Sequence, residues 1–145
     1  LLTAARFPKI IADVAREHHG TLPIKFFYNK AMKLSGGDAD IAAYSYLGPT
    51  PQSKIAAIVM IADASEAATR ALADRSPANV ERVVRSIIEE RMDLDQFDEC
   101  DITMKDLAVI KSTIVSCLTG VYHSRVQYPK LKLKRTEEEN TKENA

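Results

Sequence analysis

Cysteine occurs only twice, at Cys100 and Cys117, and the two fit no metal-binding or redox spacing. They read as reduced cysteines of a cytosolic setting. Neither sign of charge dominates: 20 basic and 20 acidic residues cancel, which removes any whole-chain basis for binding DNA, RNA or a membrane surface. The longest uninterrupted apolar run covers residues 55–62, far too short to cross a bilayer. No stretch alternates apolar and polar residues with a period of two, so no strand is expected, and no internal repeat is visible. A signal peptide and an initiator methionine are both missing. Leu1-Leu2 opens directly into helical-looking sequence, so the chain reads as a piece of a longer protein whose residues 1–7 would pack against other chain.

What remains is an ordinary helical domain. Its 145 residues are enough for one core, and 46% hydrophobic with 28% charged residues is usual for a soluble globular protein. Apolar residues at 10, 11, 14 and 15 follow the helical period between Pro8 and Gly20. Residues 22–34 read as a second helix, and 38–52, with Gly48, Pro49 and Pro51, as an irregular loop. A long alanine-rich helix is expected over 51–74. Ser76-Pro77 supplies an N-cap and a first-turn proline for a helix to about residue 92, with Val80, Val83, Val84, Ile87 and Ile88 as its apolar stripe. After an acidic turn at 93–101, Thr103 and Asp106 form a capping box for a last helix. That helix carries Leu107, Ile110, Ile114, Val115 and Leu118 and should run to Tyr128-Pro129. Residues 130–145, with Lys130, Lys132, Lys134 and Arg135 followed by three glutamates, read as a charged, disordered tail. The fold class is all-α, a helical bundle over residues 1–129.

Histidine is scarce as well, with three in the chain, yet His18 and His19 are adjacent and stopped by Gly20. Neighbouring helical residues point about 100° apart, so both rings reach one metal only where the helix ends. The plainer alternative is that one ring caps the last carbonyls of the helix. Asp63 is the second intrusion, an acid in an otherwise apolar stretch that is expected to be buried and therefore paired or bound to a cation. Val59, Asp63, Glu66 and Arg70 share one helix face, so a surface ion-pair ladder explains Glu66 and Arg70, while Asp63 calls for a metal or a pairing with Arg70. Gln52 and Lys54 at the start of this helix are candidates for holding a phosphate, although Lys54 lies about 180° around the helix from Asp63. Tyr44 and Tyr46 either stack on a base or pack their loop. His123, Arg125 and Tyr128 come late in the last helix, where a half-buried or surface role is the simpler reading.

Taken together and in order, EHHGT (17–21), KFFYNKA (25–31), the run from Tyr46 to Leu72, that from Glu81 to Leu107, and GVYHSRVQYP (120–129) resemble the C-terminal part of an HD-domain phosphohydrolase. The nearest likeness is to the bacterial seven-transmembrane HD family. The resemblance implies an all-helical bundle around two divalent metal ions, usually iron or manganese, with His18 and His19 ligating one and Asp63 the other. It implies a phosphodiesterase that opens a cyclic dinucleotide, cyclic di-AMP to the linear dinucleotide, by two-metal activation of water. Lys54, Arg70 and Tyr46 are the candidate substrate contacts. The parent protein would place this domain on the cytoplasmic face of the plasma membrane, with a homo-oligomer open to it.

The chain also departs from the family. The earlier ligands, a His, the His-Asp doublet and another His, are missing here. Three donors cannot saturate two octahedral ions, so the chain alone should bind metal weakly, turn over little and expose an open apolar face. Ile55 stands where the family tends to carry an acid, and Ala64-Ser65 where Ser-Val is commoner. Two alternatives accompany this reading: another nucleotide phosphohydrolase of the superfamily, and a helical sensor or interaction module that has lost catalysis.

Overall fold

In the computed structural model, residues 5–122 are described, and among them five α-helices carry the fold. They are α1 (Lys9–Glu17), α2 (Lys25–Leu34), α3 (Lys54–Ala71), α4 (Pro77–Asp93) and α5 (Met104–Tyr122), with a short 3₁₀ turn at Ile41–Tyr44. The expected all-α class holds. The expected tail at 130–145, the end of α5 near Tyr128, and His123 and Arg125 lie outside the described residues.

α3 is the central element, packing on α1, α4 and α5. Its start is set by Ser53, whose hydroxyl accepts from the Ala56 amide at 3.3 Å. Arg75 closes its other end by donating to the Thr69 and Arg70 carbonyls at 3.2 and 2.6 Å, which satisfies carbonyls a helix end leaves free. The helix therefore stops at Ala71, short of the expected Asp74. Ala56 is buried, and Ala57, Met60 and Ile61 cluster with Val80, Val84 and Ile88 of α4 and Leu107 and Leu118 of α5. Each fully buried large side chain in this cluster contributes about 1.5–3 kcal/mol.

The Thr103–Asp106 box forms as expected: the Thr103 amide donates to Asp106 at 2.9 Å, and the Asp106 amide to the Thr103 hydroxyl at 3.1 Å. Ser76 occupies the N-cap position of α4, but its hydroxyl donates to Asp74 at 3.1 Å and caps no helical amide.

Three further expectations need correction. α2 begins at Lys25, not residue 22, because Leu22–Ile24 run extended beside Tyr44–Tyr46. The Ile24 amide donates to the Tyr44 carbonyl at 2.7 Å, and the Tyr46 amide to the Leu22 carbonyl at 3.0 Å. Pro23 disfavours helix at Leu22, the residue before it. Second, the loop 38–52 is not wholly irregular, since Asp40 caps the 3₁₀ turn by accepting from Ala42 N at 3.0 Å. Third, Asp63 is exposed, not buried. The buried arc of α3 runs through 57, 60, 61, 65 and 69, and two residues past Ile61 the helix has turned about 200°. The apolar stripe of α1 is likewise open, with Ile10 and Ile11 exposed.

Candidate metal centre

The histidine pair sits where α1 ends. His18 is the last residue in helical conformation, and its backbone amide still donates to the Val14 carbonyl. The ring does the same: Nδ1 lies 2.9 Å from the Val14 carbonyl oxygen, which can only accept, so Nδ1 carries the proton. Nε2 is thereby left as the lone-pair nitrogen. This is the outer bond that metal-binding imidazoles generally make. The chain then turns at Gly20, whose φ of +54° lies in the left-handed region.

His19 stacks on Tyr46, the ring centroids 4.3 Å apart and the planes within 13°, and lies against His18 at 4.0 Å. The pairing of 22–24 with 44–46 brings Tyr46 there, through the amide bond to Leu22. Burial holds the His19 pKa below the usual imidazole value, and the neighbouring His18 and Arg91 push the same way. The carboxylate of Asp63 pulls in the opposite direction, so its charge reaches His19 from α3. A lowered pKa keeps the ring neutral near pH 7, the form that binds metal.

Two side chains that periodicity did not single out fasten this turn. Glu17 is 3% exposed and accepts from the Gln52 amide at 3.1 Å, tying the end of α1 to the approach to α3. A signal was present: Glu17 falls at i+7 from Ile10 and i+3 from Val14, on the apolar stripe. Gln96, from the acidic turn, bonds both the amide and the hydroxyl of Thr21. It is the one uncharged polar side chain between Asp93 and Cys100.

The other candidates are distributed differently. Lys54 bonds Asp106 at 2.9 Å, and the Gln52 amide is taken by Glu17, so the start of α3 is already neutralised by protein carboxylates. Arg70 pairs with Glu66 at 3.6 Å, the ladder anticipated for that face, and not with Asp63. Tyr44 packs its loop beside Tyr28, with ring centroids 6.3 Å apart. Among the described residues, no group of three or more His, Cys, Asp or Glu side chains stands together closely enough to hold a metal ion. The structure thus brings together His18, His19 and Tyr46, sets Asp63 within electrostatic reach, and leaves Lys54 and Arg70 with other partners.

No protein-family profile matches the chain. It is 44% identical over 129 residues to the cyclic-di-AMP phosphodiesterase PgpH of Bacillus subtilis and 41% identical to that of Listeria monocytogenes, covering 89% of this chain in each case. An uncharacterized protein of Synechocystis sp. is 31% identical over 139 residues. The chain spans 18% of the length of the two PgpH relatives. Among solved structures, the HD domain of L. monocytogenes PgpH in complex with cyclic di-AMP superposes with a TM-score of 0.81 at 40% identity, over 88% of this chain and 59% of that one. A second structure of the L. monocytogenes PgpH HD domain gives a TM-score of 0.77 at 38% identity, over 84% of this chain and 56% of that one. With this identity carried along nearly the whole chain, and with a matching helical fold, the chain belongs to the PgpH-like HD-domain family.

Proposed function

We propose that this chain is the C-terminal part of the catalytic HD domain of a metal-dependent phosphodiesterase. The reaction adds one water across a phosphodiester of cyclic di-AMP and releases the linear dinucleotide. The observation that carries the reading is the imidazole pair at the end of α1, oriented by the Val14 carbonyl and stacked on Tyr46, in a fold that superposes on a PgpH domain bound to cyclic di-AMP.

The donor chemistry fits a first-row divalent metal. Two imidazoles, one with Nε2 free and one held neutral, suit iron or manganese, and the Asp63 carboxylate suits a second ion. A bound pair of ions would supply Lewis-acid stabilisation of the phosphate oxygens and of the leaving oxygen. The residues of this chain contribute the rest. The His18 ring is fixed in direction by its Nδ1 bond. Tyr46 offers an aromatic edge beside His19, placed to pack against a base or ribose. Arg91 and Glu90 bring a guanidinium and a carboxylate to the end of α4, bonded to each other at 2.7 Å. Lys54 and Arg70 contact substrate only by giving up Asp106 and Glu66. The remaining metal donors come from chain outside this sequence, over the open face of α3 that Asp63 borders. The same reading puts the domain on the cytoplasmic side of a membrane-embedded parent. No helix among the described residues is itself long and apolar enough to cross a membrane.

The test is Asp63→Ala in the intact parent protein, assayed for hydrolysis of cyclic di-AMP with excess manganese. Loss of a ligand from a metal worth several kcal/mol of transition-state stabilisation should lower the rate about a hundredfold or more. In this chain, where Asp63 is exposed, the same substitution should barely change the melting temperature. A rate near that of the unmodified protein removes Asp63 from the ligand set.

A further inference from the structure

Gln96 lies in the turn between α4 and α5 and is 2% exposed. Its carboxamide has little freedom. Oε1 accepts from the Thr21 amide at 3.0 Å, while Nε2 donates to the Thr21 hydroxyl at 2.9 Å and to the Leu94 carbonyl at 2.7 Å. Its own backbone amide donates to the Arg91 carbonyl at 2.9 Å, which ties the side chain to the end of α4. Thr21 is 75 residues away in sequence. The two residues meet immediately after the histidine pair, and Gly20 makes the approach possible, since a Cβ there would stand 2.1 Å from Gln96 Oε1.

A buried amide is retained only where its bonding capacity is used, since an unpaired one is unfavourable in the interior. Thr21 presents an N–H and a hydroxyl oxygen, and a carboxamide answers both with one acceptor and one donor in a single plane. Apart from Gln96, the backbone bonds of this turn are local, Gly20 N to Glu17 O at 2.8 Å and Leu22 N to His19 O at 3.3 Å. Among the described residues, the long-range hydrogen bonds to residues 20 and 21 therefore come from a side chain in the turn between α4 and α5.

We propose that Gln96 is a positioning residue for the His18–His19 pair: by gripping Thr21 it fixes the backbone turn that follows the pair and holds the His19 ring on Tyr46, beside His18. The proposal rests on the reading of these histidines as metal ligands, and its geometric half stands without it. Gln96 touches neither metal nor substrate and acts through Thr21.

The experiment compares Gln96→Met, which keeps the volume and removes the bonds, with Thr21→Val, which removes only the hydroxyl of an exposed residue. Both are read in this chain by the proton NMR of the histidine rings, first without metal and then in a titration with cobalt(II) alone. In the unmodified chain, stacking on Tyr46 displaces the His19 ring resonances, and cobalt broadens those of His18 and His19. Gln96→Met should return the His19 resonances toward those of a free histidine and weaken cobalt binding about tenfold, the low end for loss of an outer-shell partner. Thr21→Val should shift both readouts in the same direction by less. A folded Gln96→Met chain with unchanged ring resonances and unchanged cobalt binding overturns the proposal. If Gln96→Met does not fold, unchanged readouts in Thr21→Val overturn it equally. Should cobalt fail to broaden either histidine in the unmodified chain, which its incomplete donor set permits, the metal-free resonances alone decide the role of Gln96, and the metal reading is decided by the Asp63→Ala assay of the intact parent.

Discussion

Gly20 carries two constraints at one position. Its φ of +54° is costly for any residue with a Cβ, and the added carbon would collide with Gln96 Oε1 at 2.1 Å. Backbone strain of this kind amounts to about 1–3 kcal/mol, and displacing the Gln96 amide adds the loss of its bonds to Thr21. Gly20→Ala should therefore lower the unfolding free energy, read by urea denaturation, by an amount in or above that range, whereas Gly36→Ala, where nothing lies within 4 Å of the added carbon, should show the φ strain alone. Equal losses at the two sites would mean that Gln96 yields without cost. At this scale the sequence was legible where chemistry is concentrated in neighbours, as in His18-His19-Gly20. The place of Glu17 on the apolar stripe of α1 marks it for burial, but the partners of Glu17 and Gln96, Gln52 and Thr21, lie 35 and 75 residues away, and no local pattern encodes that separation. Asp63 was noticed for a reason the structure reverses. An acid in an apolar run suggested burial, but the run is apolar on both faces of α3 and Asp63 emerges on the open one.

At the scale of an element, α5 shows how a local motif acquires a tertiary use. Thr103 and Asp106 form the reciprocal cap that their spacing announces, and Asp106 additionally receives Lys54 from α3. The Lys54 ammonium, followed by the Thr103 amide and hydroxyl, holds the Asp106 carboxyl well below its ordinary 3.8, at about 2. The sign follows directly. In the unfolded chain the group takes up a proton near pH 3.8, whereas in the folded chain it stays ionised down to about pH 2. The cap and bridge thus contribute their full stability above pH 4 or so and lose it as pH falls through the interval toward 2. Asp106→Asn should be less stable at neutral pH and should flatten the acid limb of the stability profile between pH 4 and 2, measured by urea unfolding across that range. An acid limb as steep as that of the unmodified chain would show that other carboxylates set it. Helices bounded by local signals, α3 from Ser53 and α4 from Pro77, began close to where the sequence placed them. The start of α2 did not, because Leu22–Ile24 is claimed by Tyr44–Tyr46, a pairing decided only once the loop closes.

For the whole molecule, the informative feature is the side of the bundle that has no cover among the described residues. Ile55 and Ile58 of α3 are 52% and 41% exposed, Val59 and Ala62 between and beside them are half-buried, and Asp63 borders the same arc. Phe26 and Phe27 of α2 and Ile10 and Ile11 of α1 are exposed too. Isolated surface hydrophobics call for no explanation, but aligned ones on the central helix of a bundle do. The chain spans 59% of the solved PgpH domain, and the proposed function asks that a covering element and the further metal donors lie over α3 beside Asp63. This open face was legible from the shortage of ligands; which residues would form it was not, since amphipathic periodicity assigns an apolar stripe to the core whether or not the core is complete. The consequence can be measured by truncating Ile58. In this chain Ile58→Ala should change stability by less than about 0.5 kcal/mol, as surface substitutions do. In the full-length protein the same change should cost about 2 kcal/mol or more, as a covered aliphatic does, while Ile61→Ala, buried on the opposite arc, should be strongly destabilising in both. An Ile58 that is equally dispensable in the longer protein would leave α3 facing solvent there as well, and with it Asp63 without the neighbouring donors on which its role as a ligand depends.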